Sequence, residues 1–136
     1  MGVVWFLLFV VEFAAAAAPP VPNFVVILAD DMGFGDLGIL NSDTPSETPH
    51  LDKLAASGMT FLDMHSASSV CTPARAALLT GRMGLRMGMV SNFGEASHFG
   101  LNTTEFTLAE FLKSGGTYDT AMLGKWHLGH TAPVNK

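Results

Sequence analysis

The sequence predicts an α/β fold with a mostly parallel sheet, and three observations support that prediction. Short apolar runs alternate along the chain with segments that carry helix-capping residues. The first of these runs leads into acidic and glycine-rich sequence, as strands of open α/β sheets do where ligands bind. Hydrophobic residues make up 49% of the 136 positions and charged residues 14%, a balance typical of a domain with a buried core.

Three segments are predicted to form the strands of this sheet. The first covers residues 23–29 and contains the β-branched run FVVILA, which suits a strand buried on both faces. The second and third are expected at residues 59–64 and 118–123. A glycine-rich stretch, residues 82–104, is expected to be irregular.

Three helices are predicted from the residues at their ends. The first has Thr48 as its N-cap, proline at its first position and Gly58 beyond its end. The second is expected over residues 73–80, with a glycine following it. The third begins with Thr107 and Glu110, which are spaced as a capping box, and ends at a pair of glycines.

The N-terminal residues 1–18 have the composition of a signal peptide, apolar and then alanine-rich. A membrane anchor is the alternative, but the apolar run is short for a bilayer and Glu12 interrupts it, so we expect no stable membrane insertion. A secreted chain would make Asn102, in Asn-Thr-Thr, a candidate glycosylation site.

Net charge and cysteine content exclude two classes of protein. The net charge is -5, and no basic run is present, so nucleic acid is not an expected partner. The chain has one cysteine, Cys71, which excludes a scaffold stapled by internal disulfides.

Cys71 lies where the second helix is expected to begin, with Arg75 about one turn further on. Free backbone N–H groups and the helix dipole would favour an anion at this point, and Arg75 would add positive charge. From these features alone, two interpretations stay open: an inert buried cysteine, or a thiolate nucleophile.

Asp30 and Asp31 directly follow the first predicted strand. An Asp-Asp pair in a loop is most often only solvated. At the end of a buried strand, however, two adjacent carboxylates repel each other unless a cation is close. Carboxylate oxygens suit a divalent cation such as calcium.

The run CTPARAALLTG, from Cys71 to Gly81, closely resembles the sulfatase signature, whose core is Cys-x-Pro-x-Arg. The run GKWHLG, which includes Lys125 and His127, resembles a second signature of the same family. The resemblance covers residues 22–130, and within the family it is greatest to the arylsulfatases and galactosamine-6-sulfatases.

The resemblance implies a set of site residues. Cys71 would be converted to formylglycine, whose hydrate attacks the sulfur of a sulfate ester and then expels sulfate. Asp30, Asp31 and the modified Cys71 would be ligands of one divalent cation, usually Ca²⁺. Lys125 would contact the sulfate and the nucleophile, and His127 would hydrogen-bond the hydrate. Arg75 would stabilise negative charge on the nucleophile and the sulfuryl group.

The resemblance also implies a fold, partners and a location. The fold would be an alkaline-phosphatase-like α/β/α sandwich, of which residues 22–136 would supply an incomplete N-terminal portion. The partners would be a sulfated small molecule or glycan and the formylglycine-generating enzyme. The protein would enter the secretory pathway and be lysosomal or extracellular. As sulfatases are several times longer, we expect residues 1–136 alone to be neither stable nor active.

Two alternatives to a sulfate-ester hydrolase remain. The first is a phosphate or phosphonate ester hydrolase of the same superfamily. The second is a truncated, non-catalytic product that still presents Cys71 to the formylglycine-generating enzyme and competes for it.

Overall fold

A computed structural model describes residues 21–130 of the chain. It contains three α-helices, α1 (Pro49–Ser57), α2 (Cys71–Thr80) and α3 (Leu108–Ser114). Two short 3₁₀ turns, Phe34–Asp36 and Gly84–Met87, lie among the connecting segments. The predicted signal peptide, residues 1–18, lies outside the described residues.

Helices α1 and α3 form where the sequence predicts them. Helix α1 has Thr48 as its N-cap and proline at its first position, and it ends before Gly58. Helix α3 has the predicted capping box: the Thr107 hydroxyl accepts from the Glu110 amide, and the Glu110 carboxylate accepts from the Thr107 amide. The capping box of α3 uses side chains that are local in sequence, whereas the Thr48 hydroxyl makes no capping bond to α1 and instead accepts from the Gly38 amide and donates to the Asp52 carboxylate, each at 2.9 Å.

Helix α2 begins two residues earlier than predicted, at Cys71 rather than at residue 73. The early start follows from a hydrogen bond of 3.2 Å between the Ala74 amide and the Val70 carbonyl. At its other end, Gly81 adopts φ 67°, and its amide bonds to the Ala77 carbonyl at 2.8 Å. That left-handed conformation is the reason that glycine is suited to this position.

The buried core of the described chain is small and lies against α2. It consists of Ala76, Met89 and Leu128, which are at most 2% exposed. Partly buried side chains pack around them: Leu79, Met87, Phe93 and Leu101. The core therefore joins α2 to the segment after it and to the GKWHLG run.

Two glycines allow the chain around Leu101 to approach the GKWHLG run. The Leu101 amide bonds to the Leu128 carbonyl at 2.8 Å. A Cβ atom added to Gly129, which has φ 107°, would lie 2.7 Å from the Gly100 Cα atom. Such a contact is too short for any side chain, so the two backbones need glycine to meet here.

Within residues 21–130 no β-strand is present, so the predicted strands at residues 23–29, 59–64 and 118–123 and their parallel sheet are not confirmed. A strand requires backbone hydrogen bonds to a neighbour. Instead, side chains join the first and third segments: the Tyr118 hydroxyl donates to the Pro22 carbonyl at 2.8 Å, and the Phe24 and Tyr118 rings are 5.7 Å apart. The starts of the two segments are therefore in contact, and no ladder joins them within the described residues.

The helices of residues 21–130 are all too short or too polar to cross a bilayer.

Candidate active site

Cys71 is the first residue of α2, and its half-buried thiol lies beside two charged groups. Its Sγ atom is 3.4 Å from the Lys125 Nζ atom and 3.7 Å from the Asp30 Oδ1 atom. Three residues that the sequence places 41 to 95 positions apart therefore meet at the start of one helix. This meeting is the geometric centre of the candidate site.

Arg75 lies one turn along α2 and is buried, with 8% of its surface exposed. Its Nη2 atom donates to the Asp30 carboxylate at 2.9 Å, and its Nη1 atom donates to the Lys125 carbonyl at 2.8 Å. A guanidinium presents several N–H groups in a fixed plane, so one side chain can hold two partners. Arg75 thereby fixes both charged neighbours of Cys71 relative to α2.

The Asp30 carboxylate lies between two cations. The Lys125 ammonium contacts its Oδ2 atom at 2.7 Å while Arg75 contacts its Oδ1 atom. The hydrogen bond from Lys125 and, next, that from Arg75 lower the pKa of Asp30 to about 2. The hydrogen bond to Asp30 likewise raises the pKa of Lys125 above its ordinary value. Both groups are therefore charged throughout the neutral range.

Asp30, Asp31 and Cys71 each offer one ligand atom to a common point, and these atoms lie within 4.8 Å of one another. Two of the three donors are carboxylates, and an ionised carboxylate can accept at several lone pairs, so Asp30 can bind a cation while it keeps its existing partners. This donor set fits an oxygen-preferring divalent ion. Three protein ligands are fewer than the 6–8 oxygens that Ca²⁺ takes.

Asp31 and His127 have positive φ angles of 59° and 55°, which are uncommon for residues other than glycine. Unusual backbone conformations persist where the surrounding structure holds them, and they concentrate at functional sites. Both residues were predicted as site residues from the sequence. The surrounding structure therefore holds the backbone of both residues in an uncommon conformation.

The structure does not bring the His127 imidazole into hydrogen-bond contact with Cys71. Its Nε2 atom lies 3.0 Å from the Phe93 carbonyl oxygen. Since a carbonyl only accepts, Nε2 carries the proton, and in the neutral ring Nδ1 holds the lone pair. Within the described part of the chain, Nδ1 is buried and has no hydrogen-bond partner.

The backbone N–H groups at the start of α2 are less available to an anion than the sequence suggests. The Thr72 amide donates to the Asn92 side chain at 2.9 Å, and the Ala74 amide donates to the Val70 carbonyl. Pro73 has no N–H group. The positive charge beside Cys71 therefore comes mainly from the side chains of Arg75 and Lys125.

Sequence reasoning did not identify Thr72 and Asn92 as site residues, although Thr72 lies in the first turn of α2 and Asn92 accepts from its amide. Nothing local in the sequence links them, because they are 20 positions apart and Asn92 lies in an irregular segment.

Asn102, the candidate glycosylation site, is exposed, and its Oδ1 atom accepts from the Thr104 amide and hydroxyl, each at 3.0 Å.

Comparison with known proteins places this geometry in context. The sequence model described as "Sulfatase" matches residues 22–135. Arylsulfatase G of Canis lupus familiaris is 58% identical over 114 residues, which cover 84% of this chain and 21% of that protein. N-acetylgalactosamine-6-sulfatase of Mus musculus is 46% identical over 124 residues, which cover 85% of this chain and 24% of that protein.

A solved structure shows a similar fold. The crystal structure of Ps i-CgsB superposes with a TM-score of 0.72 at 40% sequence identity, over 77% of this chain and 23% of that one. The chain thus spans about a fifth to a quarter of the length of the proteins that it matches.

Proposed function

The chain belongs to the sulfatase family, and on that premise we propose that the protein hydrolyses sulfate esters by an arylsulfatase-type reaction at Cys71. The observation that carries the proposal is the convergence of Arg75, Lys125 and Asp30 on the start of α2 beside Cys71. Two fixed cations next to a candidate nucleophile suit a reaction that develops negative charge on a transferred group.

We propose that Cys71 acts as formylglycine, which supplies a hydrated aldehyde and thus a nucleophilic hydroxyl group. Lys125 contributes a point charge 3.4 Å from the reacting side chain, where it can bind a sulfate oxygen. Asp30 holds that ammonium in place, and Arg75 holds Asp30. Positions fixed before the substrate arrives need little reorganisation during the reaction.

The proposed cation ligands are Asp30, Asp31 and the modified Cys71, and the proposed ion is Ca²⁺. When bound, the ion would supply positive charge that offsets the repulsion between the two adjacent carboxylates. The clustering of the three ligand atoms supports this assignment.

His127 is the proposed proton-handling residue. Histidine is suited to this task because its ordinary pKa lies near neutrality. Its Nδ1 lone pair is buried and has no partner within residues 21–130, and we propose that this atom accepts a proton from the hydroxyl group of the reacting residue. The hydrogen bond from Nε2 to Phe93 fixes the tautomer in which Nδ1 is the acceptor.

The wider assignment follows the family. We propose a sulfated small molecule or glycan as the substrate, and the formylglycine-generating enzyme as a partner. Residues 1–18 are the proposed signal peptide, Asn102 the proposed glycan acceptor, and the lysosome or the extracellular space the destination. We further propose that residues 22–136 belong to an alkaline-phosphatase-like α/β/α domain in which residues 23–29 and 118–123 are strands.

The proposal is tested by expressing the full-length gene product in a eukaryotic secretory system and comparing aryl sulfate with aryl phosphate as substrates. We expect sulfate release by the unaltered protein and a loss of at least about 1000-fold in kcat for Cys71→Ser. The mass of the peptide that contains residue 71 shows whether the thiol became an aldehyde. A Cys71→Ser variant that keeps its sulfatase activity would overturn the proposal.

The same experiment separates the alternatives. Preference for the phosphate ester would favour the phosphate or phosphonate hydrolase. Conversion of Cys71 without hydrolysis of either ester would favour the non-catalytic product.

A further inference from the structure

Helix α2 does not cap its own N-terminus. The N-cap residue is Val70, which has no side-chain oxygen to accept from the first turn. The acceptor comes from Asn92, whose Oδ1 atom lies 2.9 Å from the Thr72 amide nitrogen. Asn92 thus performs, from 20 residues away, the task of an N-cap side chain.

Thr72 extends this contact to a third segment. The residue is fully buried, and its hydroxyl donates to the His127 carbonyl at 2.9 Å while it accepts from the Phe93 amide at 3.3 Å. The Phe93 carbonyl in turn accepts from His127 Nε2. The Asn92–Phe93 dipeptide therefore contacts both the helix turn that bears Cys71 and the ring of the proposed proton-handling residue.

The hydrogen bond to Asn92 stabilises the first turn of α2, whereas Arg75 and Lys125 are held by other hydrogen bonds. Cys71 is in that turn, and its distances to Lys125 and Asp30 depend on the turn being formed. Arg75 is anchored separately, by its own hydrogen bonds to the Asp30 carboxylate and the Lys125 carbonyl. Fraying of the first turn would displace the nucleophile without releasing the anion-binding groups.

We propose that Asn92 is a positioning residue for the reaction at Cys71: it caps α2 from a distance and so holds the nucleophile against Lys125. The inference rests on the proposed function, because its kinetic consequence requires sulfate-ester hydrolysis at Cys71. Its structural consequence, protection of the first turn of α2, does not require any activity.

The test uses Asn92→Ala and Asn92→Asp in the full-length protein, with an aryl sulfate as the substrate. Loss of an N-cap acceptor weakens a helix start, and we expect Asn92→Ala to lower kcat about fivefold or more while KM changes less than about twofold. Asn92→Asp keeps the acceptor oxygen, so kcat should return to within about twofold of the unaltered protein. Its added negative charge should affect only KM, since it repels an anionic substrate.

Asn41→Ala is the matched control. Asn41 also accepts from a backbone amide through its Oδ1 atom, that of Asp43 at 3.1 Å, but it lies in a loop before α1. We expect this variant to leave kcat and KM unchanged, because the side-chain hydrogen bonds of Asn41 go to Gly35 and Asp43, which both precede α1. A loss of kcat in Asn41→Ala equal to that in Asn92→Ala would assign the effect to general destabilisation and overturn the proposal.

Hydrogen exchange of the peptide over residues 71–77, measured by mass spectrometry, supplies a readout independent of activity. We expect faster exchange in Asn92→Ala and normal exchange in Asn92→Asp. Unchanged exchange in Asn92→Ala would overturn the proposal that Asn92 caps α2. Faster exchange with unchanged kcat would overturn the link to the reaction. Absence of hydrolysis by the unaltered protein would instead overturn the proposed function, and exchange alone would then decide whether Asn92 caps α2.

Discussion

The start of α2 and the extended apolar segments differ in what fixes them. Around Cys71 and Arg75, hydrogen bonds join residues that are 20 to 55 positions apart, and two of the residues that make them, Thr72 and Arg75, are buried. In residues 23–29 and 118–123, by contrast, the large apolar side chains are exposed; Val25 is 84% and Leu123 is 96% exposed.

The comparison teaches that, within residues 21–130, the site is held by directional polar contacts, whereas the apolar segments are held by few contacts and remain largely exposed. A hydrogen bond fixes the distance and angle between two groups, whereas an apolar side chain is buried only when other parts of the protein cover it on every side. Arg75 and Thr72 each make hydrogen bonds to two or more other segments, so few side chains suffice to assemble the site. In the apolar segments, one aromatic pair joins Phe24 to Tyr118, and most of the large side chains are exposed.

The largest expected effect comes from removing the hydrogen bonds that Arg75 makes at the start of α2. In Arg75→Lys the charge remains, but one ammonium cannot hold both the Asp30 carboxylate and the Lys125 carbonyl in the geometry of a planar fork. We expect kcat/KM for an aryl sulfate to fall about 100-fold or more, with the far-UV circular dichroism retained.

Arg82→Lys is the matched control for that substitution. Arg82 follows the other end of α2 and pairs with Glu105, and its side chain is 49% exposed. Because this ion pair lies beyond the other end of α2 and does not involve Cys71, Asp30 or Lys125, we expect kcat/KM to stay within about twofold. Equal losses in the two variants would contradict the distinction between the site and the rest of α2.

A second prediction tests whether tight packing supports the polar contacts. Gly84 is buried, and a Cβ atom there would lie 2.5 Å from the Met89 carbonyl oxygen and 2.6 Å from the Pro73 Cβ atom. We therefore expect Gly84→Ala to lower the free energy of unfolding by about 1–3 kcal/mol, as overpacking does. Gly94→Ala, where nothing lies within 4 Å, should change it by less than about 0.5 kcal/mol. Chemical denaturation of both variants provides the comparison.

The part of this structure that sequence predicts best is the part controlled by neighbours along the chain. The start of α3 follows from a capping box whose residues are three positions apart, α1 begins at a proline and ends before a glycine, and Cys71 and Arg75 share one helix. Recognition of the two signatures also predicted that Asp30 and Lys125 belong with Cys71, and the structure brings all of them together.

The rest depended on contacts between distant segments, which a single sequence does not encode in a local pattern. Asn92 has no feature that marks it as a cap for a helix 20 residues earlier. The three β-branched or apolar runs predicted strands through their composition, but a strand forms only where a neighbouring backbone supplies its hydrogen bonds. Propensity alone therefore predicted strands that the described residues do not form.

The smallest expected effect concerns the charge balance at Asp30, where the hydrogen bond from Lys125 is the main cause of the pKa of about 2. A carboxyl group whose pKa falls on folding stabilises the fold above its unfolded pKa, near 3.8, and this contribution is lost as the pH falls through about 2. In chelator-treated protein, Lys125→Met should therefore lower Tm at pH 4–6, and the gap to the unaltered protein should close towards pH 2. Lys53→Met, on α1, serves as the control, because Lys53 makes no ion pair within residues 21–130. It should show no such gap. A gap for Lys125→Met that persists unchanged at pH 2 would mean that Lys125 stabilises the site through its alkyl chain, and the comparison between charged site and apolar segments would then lose its electrostatic part.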